Sequence, residues 1–210
     1  MSTLKAVASS GHEHEFEAQP GLPERLPADE KLLWQGSPDW RLLARSAFFT
    51  RIVGVYFAGL VALAIYNGST TGVIATIIAG VVGIGLLMLY AWAVARTTVY
   101  TLTNKRVVLR VGVALTTCVN IPLSRIGGAH LRPLGPIEGD IALAVIGRMP
   151  LGYALLWPHA RPWRLAKPEP MMRALPDASV VAERLARAVA AITPVERPAG
   201  MRGLVMTREQ

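Results

Sequence analysis

The apolar residues of this chain fall into two long runs followed by many short ones. The run over residues 47–66 contains one charged residue, Arg51, and the run over residues 73–95 contains none. Each run has about the 20 residues that a helix needs to cross the hydrocarbon core of a bilayer. The stretch between them, "NGSTTG", is rich in residues that favour a tight turn. The pattern predicts a two-helix transmembrane hairpin over residues 47–95.

After Arg96 the pattern changes to short β-type segments separated by turn residues. Further along, Val181, Leu185 and Ala188 recur at helical spacing and predict one amphipathic helix that ends near Ile192. Many antiparallel strands closed by a C-terminal helix are the layout of a PH-like barrel. The segments that we predict to be strands cover residues 97–103, 106–112, 114–121, 125–133, 140–146, 153–157 and 162–166.

These patterns together predict an α+β membrane protein, in which a transmembrane hairpin precedes a PH-like antiparallel β-barrel with a C-terminal helix. Basic residues flank both outer ends of the hairpin, and its connecting loop carries no charge. By the positive-inside rule, both termini are then cytoplasmic. The predicted divisions are an N-terminal tail and interfacial segment (1–46), the hairpin (47–95), a cytoplasmic PH-like domain (96–192) and a C-terminal tail (193–210).

Composition and charge favour a membrane as the partner. Only 17% of the 210 residues are charged, whereas an ordinary soluble domain has about 25%. The net charge of +8 is concentrated from residue 96 onward, where sixteen Lys and Arg residues face seven acidic ones. An anionic leaflet attracts such a domain. We find no nucleic-acid motif and no basic run interleaved with aromatic residues, so we expect the lipid bilayer, and no nucleic acid, as a partner.

The residue types needed for catalysis or cofactor binding are not grouped in this sequence. No nucleophile, base and orienting residue form a set, so we expect no enzyme activity and no catalytic residues. The predicted spans contain no His, Asp, Glu or Lys, which disfavours a proton path or a pigment ligand. Cys118 is the single cysteine and cannot form an internal disulfide. The "HEHEFE" stretch, with His12 and His14, would lose entropy on ordering, so we predict no metal site and no cofactor.

Two groups of residues are candidates for contact with a partner or with the membrane. Trp34 and Trp40 precede the first span, where an indole suits either the headgroup region or a docked partner. Arg161, Trp163 and Arg164 lie in "WPHARPWRLAKP" and suit a protein interface or a lipid surface. A strand pair with solvated arginines is the structural alternative for this second group.

Small residues recur at every fourth position in both predicted spans. Such stripes permit close approach between helices, either within the hairpin or with another membrane protein. They are Gly54, Ala58 and Ala62 in the first span and Ala75, Ala79 and Gly83 in the second.

Two motifs carry a resemblance to a known family. The stretch "YTLTNKRVVLRVG" resembles the first strands of bacterial PH domains attached to transmembrane hairpins, which share a Tyr-x-Leu-Thr-Asn-x-Arg pattern. The positions that match are Tyr100, Leu102, Thr103, Asn104 and Arg106. Upstream, "LPADEKLLWQGSPDW" is similar to the segment that precedes the hairpin in the same group, through Glu30, Leu33, Trp34, Gly36 and Pro38.

The longer stretch "EFEAQPGLPERLPADEKLLWQGSPDW" is similar to photosynthetic complex assembly proteins of purple phototrophic bacteria. The resemblance implies a non-enzymatic role in assembling the photosynthetic reaction centre and its core antenna, light-harvesting complex 1. It also implies a multi-pass location in the bacterial inner (intracytoplasmic) membrane. The alternative is a general membrane-anchored bacterial PH-domain protein that binds lipid or stress-related partners. The sequence leaves open which subunit is bound and whether the chain forms a homo-oligomer.

Overall fold

The computed structural model describes residues 26–147 and 152–192. The "HEHEFE" stretch and the predicted C-terminal tail lie outside the described residues. In chain order the main elements are β1 (Leu32–Gly36), α1 (Trp40–Ser46), α2 (Thr50–Tyr66), α3 (Thr70–Thr97), β2 (Val99–Thr103), β3 (Arg106–Val111), β4 (Thr117–Pro122), β5 (Ile126–Pro133), β6 (Gly139–Val145), α4 (Tyr153–Leu156), β7 (Met171–Leu175) and α5 (Ala178–Ile192).

The strands form two antiparallel sheets, one in the order β1-β2-β3-β4 and one in the order β5-β6-β7. The predicted strands that correspond to β2 through β6 are confirmed. The prediction is wrong for residues 153–157, where α4 forms one helical turn that buries Leu156. It is also wrong for residues 162–166, which form a loop. The sequence analysis missed β7, whose five residues are all buried and therefore show no alternation.

The first strand, β1, lies before the helices in the chain but belongs to the domain after them. It pairs antiparallel with β2, so that Gly36 lies opposite Tyr100. Helices α1 to α3 are therefore inserted between two neighbouring strands of one sheet. The predicted division at residue 96 is corrected accordingly, because Leu32–Gly36 completes the sheet. Strand β1 contains Trp34 and lies close to Trp40 in the chain, a composition that also suits a segment at the membrane interface. The sequence therefore did not distinguish a strand from an interfacial segment.

One apolar core joins both sheets to α5. Val181 and Leu185 of α5 are buried against side chains from both sheets, as the helical spacing predicted. The amphipathic helix is thus confirmed, and the antiparallel sheets closed by a C-terminal helix agree with a PH-like domain. The largest fully buried side chains of this core include Tyr100, Leu109, Ile121, Ile141, Leu143, Met172 and Leu185.

Of the helices in the described ranges, α3 alone is by itself long and apolar enough to cross a membrane. The 28 residues of α3 extend about 42 Å. Only 6% of its most apolar stretch is buried, so α3 is not the core helix of a soluble domain. Helices α1 and α2 qualify only together, as a pair bent by 58°. The predicted first span, residues 47–66, corresponds mainly to α2: the chain breaks at Phe49, which has a φ of 51°, and α2 begins at Thr50.

Helices α2 and α3 pack against each other through one member of each predicted stripe of small residues. Gly54 and Gly83 lie in the contact, and a Cβ at Gly80 would lie 3.0 Å from the ring of Phe57, which is closer than ordinary van der Waals contact. The close approach between the helices therefore depends on Phe57 covering Gly80. The remaining small residues of the stripes are exposed, namely Ala58, Ala62, Ala75 and Ala79.

Candidate contact site beside the helix and domain junction

The helices join the domain through an apolar group of side chains that we call the junction cluster. Asp39 caps α1 by accepting hydrogen bonds from the backbone N–H groups of Arg41 and Leu42. The backbone N of Asp39 also donates to the carbonyl of Ala174 in β7, at 2.8 Å. Burial of the cluster ties α1 and the end of α3 to the second sheet. Its members are Leu43, Ala44, Ala47, Phe48, Ala91, Val94 and Ala174.

Three aromatic rings extend the junction cluster toward the loop after α4. Trp157 stacks on Tyr90 of α3 with ring centroids 6.1 Å apart and planes inclined by 16°. Phe48 meets both rings edge-on, at 5.3 Å from Tyr90 and 5.6 Å from Trp157. These contacts place the loop that follows α4 beside the C-terminal part of α3.

A buried hydrogen-bonded group fixes the backbone just after Trp157. His159 Nδ1 lies 2.7 Å from the hydroxyl of Tyr100, and His159 Nε2 lies 3.2 Å from Thr98 Oγ1. Burial and, to a lesser extent, the positive charge of Arg173 lower the pKa of His159 to about 3. Because the backbone N of Arg173 donates to the Tyr100 hydroxyl, that hydroxyl donates its own hydrogen to Nδ1. The imidazole is therefore neutral, with its hydrogen on Nε2.

Two buried charged residues complete this group. Arg173 Nη1 donates to the carbonyl of Pro158 at 3.1 Å, and Asp140 Oδ1 accepts from the backbone N of Ala174 at 2.8 Å. Burial lowers the pKa of the Arg173 guanidinium, whereas the negative charge of Asp140 opposes that effect. These bonds link β6, β7 and the start of the loop, and so determine where the loop leaves the domain.

The loop itself, residues 161–169, presents two large apolar side chains to solvent, Trp163 and Leu165. Its stem is closed by Glu169, whose carboxylate accepts from Arg161 Nη1 at 2.8 Å and lies 3.8 Å from Arg164 Nη1. At the tip, Trp163 is 94% exposed and has a φ of 65°. A non-glycine residue in the left-handed region costs about 1–2 kcal/mol. The exposed indole recovers none of this cost by burial, and such outliers cluster at functional sites.

The structure brings together only part of the predicted contact set. Arg161, Trp163 and Arg164 share the loop that we now call the Trp163 loop (residues 161–169). Trp34 instead packs against the core, and its Nε1–H donates to Asp177 at the start of α5, at 3.0 Å. Trp40 is the first residue of α1, and the guanidinium of Arg41 lies over its ring. Neither tryptophan lies in this loop.

Sequence reasoning missed the aromatic contacts that anchor the loop. Trp157 was part of the candidate stretch, but its partners Phe48 and Tyr90 are distant in the chain and lie in the predicted spans. Aromatic residues near the end of a span predict an interfacial position. That signal does not identify which part of the following domain they contact.

Comparisons with known proteins agree with this architecture. The family model described as bacterial PH domain matches residues 47–189, which include α2, α3 and most of the domain that follows them. An uncharacterized 23.7 kDa protein in the puhA 5′ region of Rhodobacter capsulatus is 42% identical over 193 residues, covering 87% of this chain and 90% of the relative. No solved structure matches the chain. The chain therefore belongs to the bacterial PH domain family.

Proposed function

We propose that this chain is a non-enzymatic assembly factor for the photosynthetic reaction centre and core light-harvesting complex 1. It acts by binding assembly intermediates in the bacterial inner membrane. The observation that carries the proposal is the genomic position of the 42% identical relative, which is encoded in the puhA 5′ region, a reaction-centre region. The resemblance of residues 15–40 to photosynthetic assembly proteins supports the same function.

In this proposal α3 and the bent pair of α1 and α2 form a two-span hairpin, and both chain termini are cytoplasmic. The charges support this orientation, because Arg51 lies at the start of α2 and Arg96 lies in the last turn of α3. The Arg96 guanidinium lies 5.1 Å from the ring of Trp92, an arrangement that suits the headgroup region. The turn at residues 67–69 is then periplasmic.

The Trp163 loop is the proposed contact surface for a reaction-centre or core antenna subunit. Tryptophan and arginine are enriched among the residues that dominate binding energy. Arg161 and Glu169 hold the stem, while Trp163 and Leu165 expose 94% and 67% of their surface. A partner that covers both side chains would gain apolar burial without breaking any contact within the domain.

The test compares three strains that produce tagged parent protein, a Trp163→Ala variant or a Leu115→Ala variant in place of the native chain. Leu115 is 82% exposed in the loop after β3 and serves as the matched control. We expect Trp163→Ala to lower both the yield of core complex and its co-purification with the tagged protein. Leu115→Ala should change neither. Normal core-complex yield in a strain that lacks the whole chain would overturn the assembly role.

The second candidate function is a general membrane-anchored PH-domain protein that binds lipid or stress-related partners. The basic character of the chain after residue 96 favours it. Vesicle flotation separates the two candidates. Binding to anionic vesicles that requires Trp163, together with normal core-complex yield in the deletion strain, would favour the second.

A further inference from the structure

Helix α1 has one face packed against the rest of the protein and one face exposed. Leu43 and Ala44 are buried in the junction cluster. Arg41 and Arg45 are exposed, and because they are four residues apart, they lie on the same side of the helix. Helix α1 is therefore amphipathic, and its exposed face carries two positive charges.

Neither arginine has a carboxylate partner in the part of the chain that the structure describes. Residues 40–137 contain no Asp or Glu, and the carboxylate of Asp39 accepts hydrogen bonds from the backbone at the start of α1. Arg106 of the domain, by contrast, is paired with Glu30 at 2.8 Å. The exposed face of α1 therefore presents positive charge that no side chain on that face neutralises.

The bend between α1 and α2 keeps α1 close to the level at which α2 begins. The two helices are inclined by 58°, and the seven residues of α1 extend about 10 Å. With α2 along the bilayer normal, only about 6 Å of that length is directed along the normal. The headgroup region is about 5–8 Å deep on each side of the hydrocarbon core. The whole of α1 therefore fits within the headgroup layer.

We propose that this exposed face, which we call the arginine face (Arg41 and Arg45), binds the phosphate groups of anionic phospholipids in the cytoplasmic leaflet. A guanidinium can donate to two phosphate oxygens at once, and an anionic leaflet attracts basic residues near its surface. Phe49, at the break between α1 and α2, is 50% exposed and can enter the apolar edge of the same layer. The inference rests on the membrane topology proposed above, but not on the assembly role.

Lipid bound at the arginine face would also determine how the domain is held. The backbone N of Asp39 donates to the carbonyl of Ala174 in β7, and the junction cluster packs α1 against the same strand. Arg173 of β7 holds the carbonyl of Pro158, near the start of the Trp163 loop. Contact between α1 and the headgroups therefore sets the height of the second sheet and of this loop above the bilayer.

The test uses the purified full chain in phosphatidylcholine bilayers that contain a trace of spin-labelled lipid. Electron paramagnetic resonance measures how much labelled phosphatidylglycerol or labelled phosphatidylcholine is immobilised at the protein. We expect the parent to prefer phosphatidylglycerol by about threefold or more. The double variant Arg41→Gln/Arg45→Gln should lower that preference by about twofold or more. Arg41→Lys/Arg45→Lys keeps both charges and should retain most of the preference.

The matched control, Lys105→Gln/Arg187→Gln, removes the same number of charges from exposed positions on other elements. Lys105 lies in the turn between β2 and β3, and Arg187 lies on α5. This control should leave the lipid preference unchanged. Equal association of the parent with both lipids, or an equal loss in the glutamine variant and the control, would overturn the proposal. An equal loss in the lysine and glutamine variants would also overturn it, because the charge would then not be the cause.

Two further outcomes separate this inference from the assembly role. If Arg41→Gln/Arg45→Gln kept the lipid preference but lost co-purification with the core complex, the arginine face would be a protein contact, and the lipid proposal would be wrong. The resonance measurement needs only the purified chain and lipid. Normal core-complex yield in the deletion strain would therefore overturn the assembly role, whereas a loss of lipid preference in the glutamine variant would still support the arginine face.

Discussion

The side chain of Asn104, in the turn between β2 and β3, is hydrogen-bonded to the segment that leads into β1. Asn104 Oδ1 accepts from the backbone N of Lys31 at 2.7 Å, and its Nδ2 donates to the carbonyl of Asp29 at 3.3 Å. Beside it, Glu30 accepts from Arg106 at 2.8 Å through both carboxylate oxygens. Residues on either side of the three inserted helices are thereby held together, and the first sheet closes across the insertion.

We expect Asn104→Ala to destabilise the protein by about 1 kcal/mol, because two largely exposed side-chain hydrogen bonds are lost. Thermal unfolding of the purified protein in detergent measures the effect. The matched control is Lys105→Ala, which removes an exposed ion pair with Asp29 and should cost less than about 0.5 kcal/mol. Equal destabilisation by the two substitutions would contradict the role assigned to Asn104.

Both family motifs were visible in the sequence, but their contact was not. Periodicity and length predicted α3, α5 and the strands β2 to β6, since each leaves a local pattern. Strand β1 shows no such local pattern, because it has only five residues and the strand it pairs with, β2, follows the three helices in the chain. Residues 162–166 have a composition that predicts a strand, whereas the contacts that position the segment before the Trp163 loop join Phe48, Tyr90 and Trp157 across the fold.

Substitution of Asp140 should lower the stability of the domain, although the side chain is small. Asp140→Ala leaves the buried N–H of Ala174 without its acceptor and removes a negative charge near the buried Arg173. We expect a loss of about 1–3 kcal/mol in the free energy of unfolding. Asp140→Asn keeps an acceptor oxygen and should cost less than Asp140→Ala.

Unfolding of both Asp140 variants is compared with that of Glu183→Ala, in which the lost carboxylate belonged to a side chain that is 70% exposed. The control should lie within about 0.5 kcal/mol of the parent. If Asp140→Ala matched the control, the bond between Asp140 and Ala174 would contribute no net stability.

The stability of the domain should depend on pH through His159. Its folded-state pKa, about 3, lies below the ordinary value of 6.5, so the unfolded chain takes up the proton first as the pH falls. The contribution of neutral His159 is therefore present above pH 6.5 and is lost progressively between pH 6.5 and 3. Between pH 6.5 and 5.5 the parent should lose about 1 kcal/mol more than His159→Gln does.

Thermal or denaturant unfolding at these two pH values measures that difference. Ordinary carboxyl groups remain almost wholly ionised in this window, and the other histidines are shared by both proteins. Identical pH dependence of the parent and His159→Gln would show that the pKa of His159 is the same in the folded and unfolded states.

Substitution of Trp163 by glycine should separate stability from partner binding. Glycine adopts the φ of 65° without strain, which recovers about 1–2 kcal/mol. The greater entropy of the unfolded glycine chain offsets about 0.4–1 kcal/mol of this gain. We therefore expect an unfolding temperature equal to or above that of the parent, together with weaker co-purification of the core complex.

Leu165→Gly is the control within the same loop: it gains no relief from a positive φ and should lower the unfolding temperature. An equal decrease in both variants would refute the strain assigned to Trp163, and unchanged co-purification in Trp163→Gly would remove this loop as the contact surface.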